Sequence, residues 1–310
     1  MLRSLRANWW FILLLMACGH KPAQELSVIF GGDVMLDRGI RVQISRQGMG
    51  YFTDDLIPEI SKADYTIINL ECPATDIVAP LTKKYVFRAE PAWLADLRKA
   101  GITHGILANN HSYDQGRDGL VSTARNMALS GITPIGFGQT QTAACAPVVL
   151  LKNGMEVAIF SSVTLPLEGW MYLDDSPGMC QASIDDLVQS VSAYRAAHPA
   201  SFIVVTLHWG VEYQSTPTAT QREQAKALVM VGTDLIIGHH PHVVQTYERI
   251  NGKPVFYSLG NLIFDNPRTI THRGILVKLT LRPKENDITI IPYEAVKNKP
   301  IIRSSEITSY

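Results

Sequence analysis

From about residue 26 onward the sequence predicts an α/β fold around a central sheet. Three observations predict it. Apolar runs of strand length alternate with helical patterns, several of those runs stop abruptly at residues able to bind an ion, and no internal repeat interrupts the alternation. With 310 residues and 46% hydrophobic content, the chain can bury one large core or two modest ones. Lys plus Arg and Asp plus Glu balance at 28 each, so no basic excess draws in nucleic acid, and nucleic-acid binding is disfavoured.

Taken in order, residues 1–18 form a separate unit. Arg3 and Arg6 precede the apolar stretch Trp9 to Ala17, which is far short of the roughly 20 residues that span a bilayer. This reads as a secretory leader. Leu15-Met16-Ala17-Cys18 resembles the lipobox of bacterial lipoproteins, which makes Cys18 a lipidation site and the mature chain a membrane-anchored lipoprotein of the periplasm or cell surface. Plain signal-peptide cleavage is the alternative, and either places the mature protein outside the cytoplasm.

The first strand, Leu26 to Asp33, ends at Gly31-Gly32, where the backbone can turn tightly and approach a ligand before the carboxylate of Asp33. Asp37 and Arg38 follow, able to pair with each other or, through Arg38, to meet an anionic substrate. Phe52 to Ala63 is expected to be a helix. The second run, Asp64 to Pro73, carries Asn69 and Glu71 two residues apart and therefore on one face, and Pro73 marks the strand's end. Pro91 to Ala100 reads as a helix, and the run from Ile102 ends in Asn109-Asn110-His111-Ser112-Tyr113-Asp114. Asparagine offers a neutral oxygen to a hard cation, and His111 either binds metal or transfers a proton. Asp114 is expected to cap the helix Arg117 to Ser130.

The stretch Thr164 to Gln181, containing Trp170-Met171-Tyr172, lacks periodicity and is expected to be a long, lid-like loop. Ile184 to Ala197 and Thr218 to Val231 read as helices. Between them Ser201 to Glu212 is an apolar strand closing on His208, with Glu212 able to orient that ring or to approach the site itself. Asp234 to His242 drives a further strand into His239, His240 and His242. Imidazole is the commonest protein metal ligand, and a solvated turn is the plainer alternative. Beyond it, Val243 to Ile250, Pro254 to Leu259, Gly274 to Leu281 and Asp287 to Pro292 read as strands, with Asn251-Gly252 a hairpin turn. The segment from Lys297 is expected to be a loose polar tail. Cys72, Cys145 and Cys180 remain once Cys18 is set aside, an odd number that implies no disulfide scaffold. Cys145 with Cys180 is an available pair in an oxidising compartment, and Cys72 is expected to be an inert buried thiol.

In sequence, Gly32-Asp33, Asn69-Leu70-Glu71, Asn109 to Asp114, Leu207-His208-Trp209-Gly210, His240-Pro241-His242 and Tyr257 to Asp265 resemble the bacterial capsule synthesis protein CapA family. That family is associated with poly-γ-glutamate capsule synthesis or export and is similar to calcineurin-like metallophosphoesterases. The resemblance implies a two-sheet β-sandwich flanked by helices over residues 26–296, with 297–310 a C-terminal tail. It implies one or two divalent ions (Mn, Zn, Fe or Mg), with Asp33 and His242 on the first metal, Glu71 bridging, and Asn110, His208 and His240 on the second. His111, Asp114 and Arg38 are then the candidate catalytic residues, and Asn69, Asn109 and Glu212 complete the pocket. Two departures stand out: the superfamily has Asp-x-His where this chain has Asp33-Val34-Met35, and Glu71 replaces the shorter bridging Asp. A thioether is a poor ligand for a hard ion, so the first metal loses a ligand.

Two functions follow. One is a capsule-associated metal-dependent hydrolase of phosphoester or related bonds, working beside membrane-bound capsule synthase subunits. The other is a non-catalytic surface module that holds an anionic polymer in a degenerate metal site.

Overall fold

The computed structural model describes residues 24–167 and 173–310. Cys18 and the leader, like Trp170-Met171-Tyr172 of the expected loop, lie outside the described residues. Leu26–Val34 is buried along its whole length because it is covered on both faces. It pairs in parallel with Tyr65–Leu70 and Asn261–Ile263 and antiparallel with Arg273–Leu281. The sheet extends through His104–Ile106 to Thr133–Ile135 on one side and through Asn286–Val296 to Lys299–Ile302 on the other. A second sheet runs in the order Glu248–Ile250, Lys253–Phe256, Leu235–His239, Phe202–His208, Met155–Val163, Val148–Lys152.

Strand alternation sets the layers. Val28, Phe30 and Ile67 of the first sheet meet Val157, Ile159, Val204, Ile237 and Phe256 of the second. Ile29 and Ile68 turn the other way, to helices Arg38–Gln47, Trp93–Lys99 and Gly116–Leu129 through Ile40, Leu94, Leu97 and Leu120. Ile203 and Val205 likewise cover Leu187, Val191, Ala225 and Leu228 of helices Ile184–Ala197 and Ala219–Met230. Each such Val, Leu, Ile or Phe side chain contributes about 1.5–3 kcal/mol on burial. The architecture is therefore the expected two-sheet sandwich flanked by helices. Both outer helices begin with capping boxes, Ser183 with Asp186 and Thr218 with Gln221. Among the described residues no helix is long and apolar enough to cross a membrane.

Several local expectations are corrected. Phe52 to Ala63 is not one helix but two short ones, Gly50–Thr53 and Ile57–Ile60, since Pro58 lacks an N–H and would strike the carbonyl four residues back. Helix Arg38–Gln47 was unanticipated, as were strands Val148–Lys152 and Met155–Val163. Of Val243 to Ile250 only Glu248–Ile250 is strand. The segment after Lys297 is not loose: Lys299–Ile302 pairs with Asn286–Val296, and the Tyr310 ring packs against Phe256 and Tyr247. Cys145 and Cys180 form a disulfide, whereas Cys72 is a buried free thiol whose ionisation burial disfavours.

Candidate metal centre

The parallel strands of both sheets end at the same edge of the sandwich, and their carboxyl ends carry the polar residues. Asp33 and Asn69 are register partners across adjacent strands, as are His208 and His239. Close backbone contact makes this possible. A Cβ on Gly32 would lie 2.0 Å from the Gly260 carbonyl oxygen, and one on Gly238 would lie 1.9 Å from that of Tyr257. After Leu235–His239 the chain turns through His240 at φ 97° and His242 at φ 58°, left-handed conformations that non-glycine residues rarely adopt. Such local strain is typical of a functional loop, and here it aims two imidazoles inward.

Asp33, Asn69, Glu71, Asn109, His111, His208, His240 and His242 are all buried and converge. Glu71 sits at the centre: its Oε1 lies 3.7 Å from His242 Nε2 and 3.8 Å from His208 Nε2. On one side, Asp33 Oδ2 is 3.2 Å from His242 Nδ1, a nitrogen that hydrogen-bonds Asn261 Oδ1 at 2.9 Å. On the other, His208 Nε2 is 3.0 Å from Asn110 Oδ1, and the His208 and His240 ring centroids are 5.0 Å apart. Asn69 Nδ2 donates to both Asp33 and Glu71 and is itself fixed through its oxygen by Asn109.

The electrostatics of this cluster call for a cation. Burial alone would lift the Asp33 carboxyl, but His239 and His242 hold it well below the usual range. Burial and the Asp33 charge push Glu71 well above it. Burial opposes charge on His242, yet Glu71 and Asp33 raise it to about 9. His240 falls to about 3 through burial and the nearby His242, and burial likewise holds His208 well below its ordinary value. Asp33 Oδ2, Glu71 Oε1 and His240 Nδ1 are shielded yet make no hydrogen bond, and leaving such atoms unpaired costs about 1–3 kcal/mol each. Glu71, His240 and His242 present ligand atoms within 4.8 Å of one another. Imidazole, carboxylate and amide donors without a thiolate suit a hard or borderline divalent ion.

Beside the centre, Asp114 is fully buried and His111 Nδ1 donates to its Oδ2 at 2.8 Å. Burial lowers the His111 pKa against the pull of Asp114. Asp114 does not cap the following helix. Its oxygens accept from His111 and Phe87 N and pair with Lys83 at 2.5 Å, while Gln115 stands at the helix start without a side-chain cap. Arg38 does not pair with Asp37 through its side chain: it binds Asp265, while Asp37 binds Arg41. Arg38 nonetheless lines a cavity of about 410 Å³ together with His111, His242, Glu212, Tyr213 and Arg268. Glu212 belongs to this cavity and to a neighbouring one with Lys83, Asn110 and His240; the His208 ring instead meets Asn69, 3.4 Å from Nδ1, and Asn110 at Nε2. Leu165 and Pro166, from the start of the expected loop, line the second cavity. Sequence reasoning named His239 in the histidine cluster and Asn261 in a family-like segment without giving either a role, and it missed Lys83.

Two facing sheets with a buried carboxylate and imidazole cluster at their carboxyl ends define a protein of the calcineurin-like phosphoesterase fold. A solved structure of a Staphylococcus aureus protein assigned as a 5'-nucleotidase is similar, with a TM-score of 0.51 and 14% identity over 90% of this chain and 53% of that one. More particularly, the chain belongs to the bacterial capsule synthesis protein PGA_cap family, which it matches over residues 27–266. It is 29% identical over 290 residues to capsule biosynthesis protein CapA of Bacillus anthracis, covering 91% of this chain and 70% of that one. It is 30% identical over 260 residues to PGA biosynthesis protein CapA of Bacillus subtilis strain 168, covering 83% and 68%.

Proposed function

We propose that this chain works outside the cytoplasm, anchored through a lipid on Cys18, in poly-γ-glutamate capsule synthesis or export. In this reading its metal centre hydrolyses a phosphoester or related polar bond, and membrane-bound synthase subunits are its partners. Family membership supports the capsule role, and the Cys145–Cys180 disulfide supports an oxidising compartment. The observation that carries hydrolysis is the His111–Asp114 pair beside the cluster, because holding an ion or a polymer needs no oriented imidazole.

Asp33, Glu71, Asn110, His208, His240 and His242 would hold the metal, which when bound supplies Lewis acidity. The chain's own residues do the rest. Asp114 accepts the His111 Nδ1 proton and so fixes the ring, leaving Nε2 to exchange a proton with a leaving group in the adjoining cavity. Lys83 neutralises Asp114, which keeps the imidazole from being drawn permanently into the charged form. Arg38, anchored by Asp265, lines the cavity where an anionic substrate would lie.

The test is turnover of generic phosphoesters by the purified full-length protein with and without Mn²⁺. Metal-dependent turnover that falls about 10²–10⁴-fold in His111→Ala, with metal binding retained, supports the reading. A second reading is favoured by Met35, which stands where the superfamily has a ligand histidine: a binding module that holds an anionic polymer without cutting it. Polyglutamate retention without turnover by the metal-loaded protein would select it.

A further inference from the structure

The geometry points to His239 as a metal ligand that replaces the one forfeited at Met35, so that the Asp33 side of the centre holds an ion of its own. This rests on the metal-centre reading above.

Met35 is fully buried in the apolar layer, and its sulfur accepts from the Asp37 backbone N–H at 3.1 Å, so it faces away from ligation. The position it vacates would leave Asp33 with His242 alone beside the shared Glu71. His239 makes up the deficit from the other sheet. It closes strand Leu235–His239 and is the register partner of His208, so the two imidazoles stand on the same face of neighbouring strands. Its Nδ1 is 3.1 Å from Asp33 Oδ1. Two donors bound to one cation at about 2.1 Å and near a right angle stand roughly 3 Å apart. The ring is 2% exposed, and its Nε2 makes no hydrogen bond, an arrangement that leaves a buried imidazole half-satisfied. Asp33 Oδ2, 3.2 Å from His242 Nδ1, is likewise buried without a hydrogen bond. The purely structural alternative is a hydrogen bond from His239 that positions Asp33.

Titration of Mn²⁺ into the full-length protein, read by isothermal calorimetry and by pulsed-EPR nitrogen couplings, decides the matter. The expected result is two bound ions, with the Asp33-side ion coupled to two histidine nitrogens. His239→Gln should lose one coupling and weaken that ion at least tenfold while leaving the other unchanged. His239→Asn retains a donor towards Asp33. If it restores both the affinity and the wild-type spectrum, His239 is a positioning residue and the assignment is overturned. Unchanged couplings in His239→Gln also overturn it. Failure of the unmodified protein to bind any Mn²⁺ overturns the metal centre itself, a distinct outcome that removes this assignment with it.

Discussion

Asn69 and Asp33 are joined across neighbouring strands, the amide Nδ2 donating to Asp33 Oδ1 at 2.8 Å. The same nitrogen reaches Glu71 Oε2 at 3.1 Å, so one neutral side chain sets the spacing of two buried carboxylates. Asn69→Ala removes that clamp without removing a ligand. Partners of this kind typically contribute 10–100-fold to metal affinity. A fall of that size is expected in Mn²⁺ titrations, and an unchanged affinity would show that the carboxylates hold their geometry unaided.

Glu71 makes the opposite trade. With no cation present its charge is penalised by burial and by Asp33, so the residue burdens the fold it serves. Glu71→Gln keeps the shape and removes the charge. Chelator-treated Glu71→Gln is expected to be more stable than chelator-treated wild type by about 1–3 kcal/mol. Stabilisation by added Mn²⁺ should be largely lost. Urea unfolding of both proteins, with and without metal, checks this, and a less stable metal-free variant would refute it.

These two residues were legible in the sequence because a ligand must follow an apolar strand directly, and Ile67-Ile68-Asn69-Leu70-Glu71 shows that change of character along the chain. His239 was named with its two neighbours, yet its place in the centre was not legible. Its role depends on pairing with His208, and strand register is a tertiary fact that one sequence does not display. Lys83 sits in the polar stretch Thr82-Lys83-Lys84-Tyr85, where a lysine reads as solvated, and only packing against Asp114 buries it. Helix Arg38–Gln47 did carry signals, Asp37 at its start and Gly48 at its end, but only Ile40 and Ile44 face the core, which leaves the periodicity faint. Asn153-Gly154, with both residues at positive φ, joins strands Val148–Lys152 and Met155–Val163. It is the same turn signal as Asn251-Gly252 and could have revealed that hairpin.

Lys83 and Asp114 are 6% and 0% exposed at their side chains and 2.5 Å apart, so neither charge has water to fall back on. Lys83→Met should therefore cost about 3–5 kcal/mol, because it strands Asp114 next to His111. Adding Asp114→Asn to Lys83→Met should recover part of the loss. A double-mutant cycle by urea unfolding measures the coupling, and additive costs would mean that the pair does not interact.

His104 provides a titration well away from the cluster. It is 6% exposed, its ring packs edge-on to Tyr65, and burial together with the charge of Arg98 lowers its pKa from 6.5 to about 4. The folded state thus resists a proton that the unfolded chain accepts. Its contribution to stability is full above pH 6.5 and is lost as pH falls from 6.5 towards 4, by about 3 kcal/mol in all. His104→Gln cannot titrate, so whatever the substitution costs at pH 7 should shrink by about that amount at pH 4. Urea unfolding of both chelator-treated proteins at the two pH values tests this. A difference that stays constant between them would mean that His104 takes up its proton as readily in the folded chain as in the unfolded one, and that its burial carries no electrostatic cost.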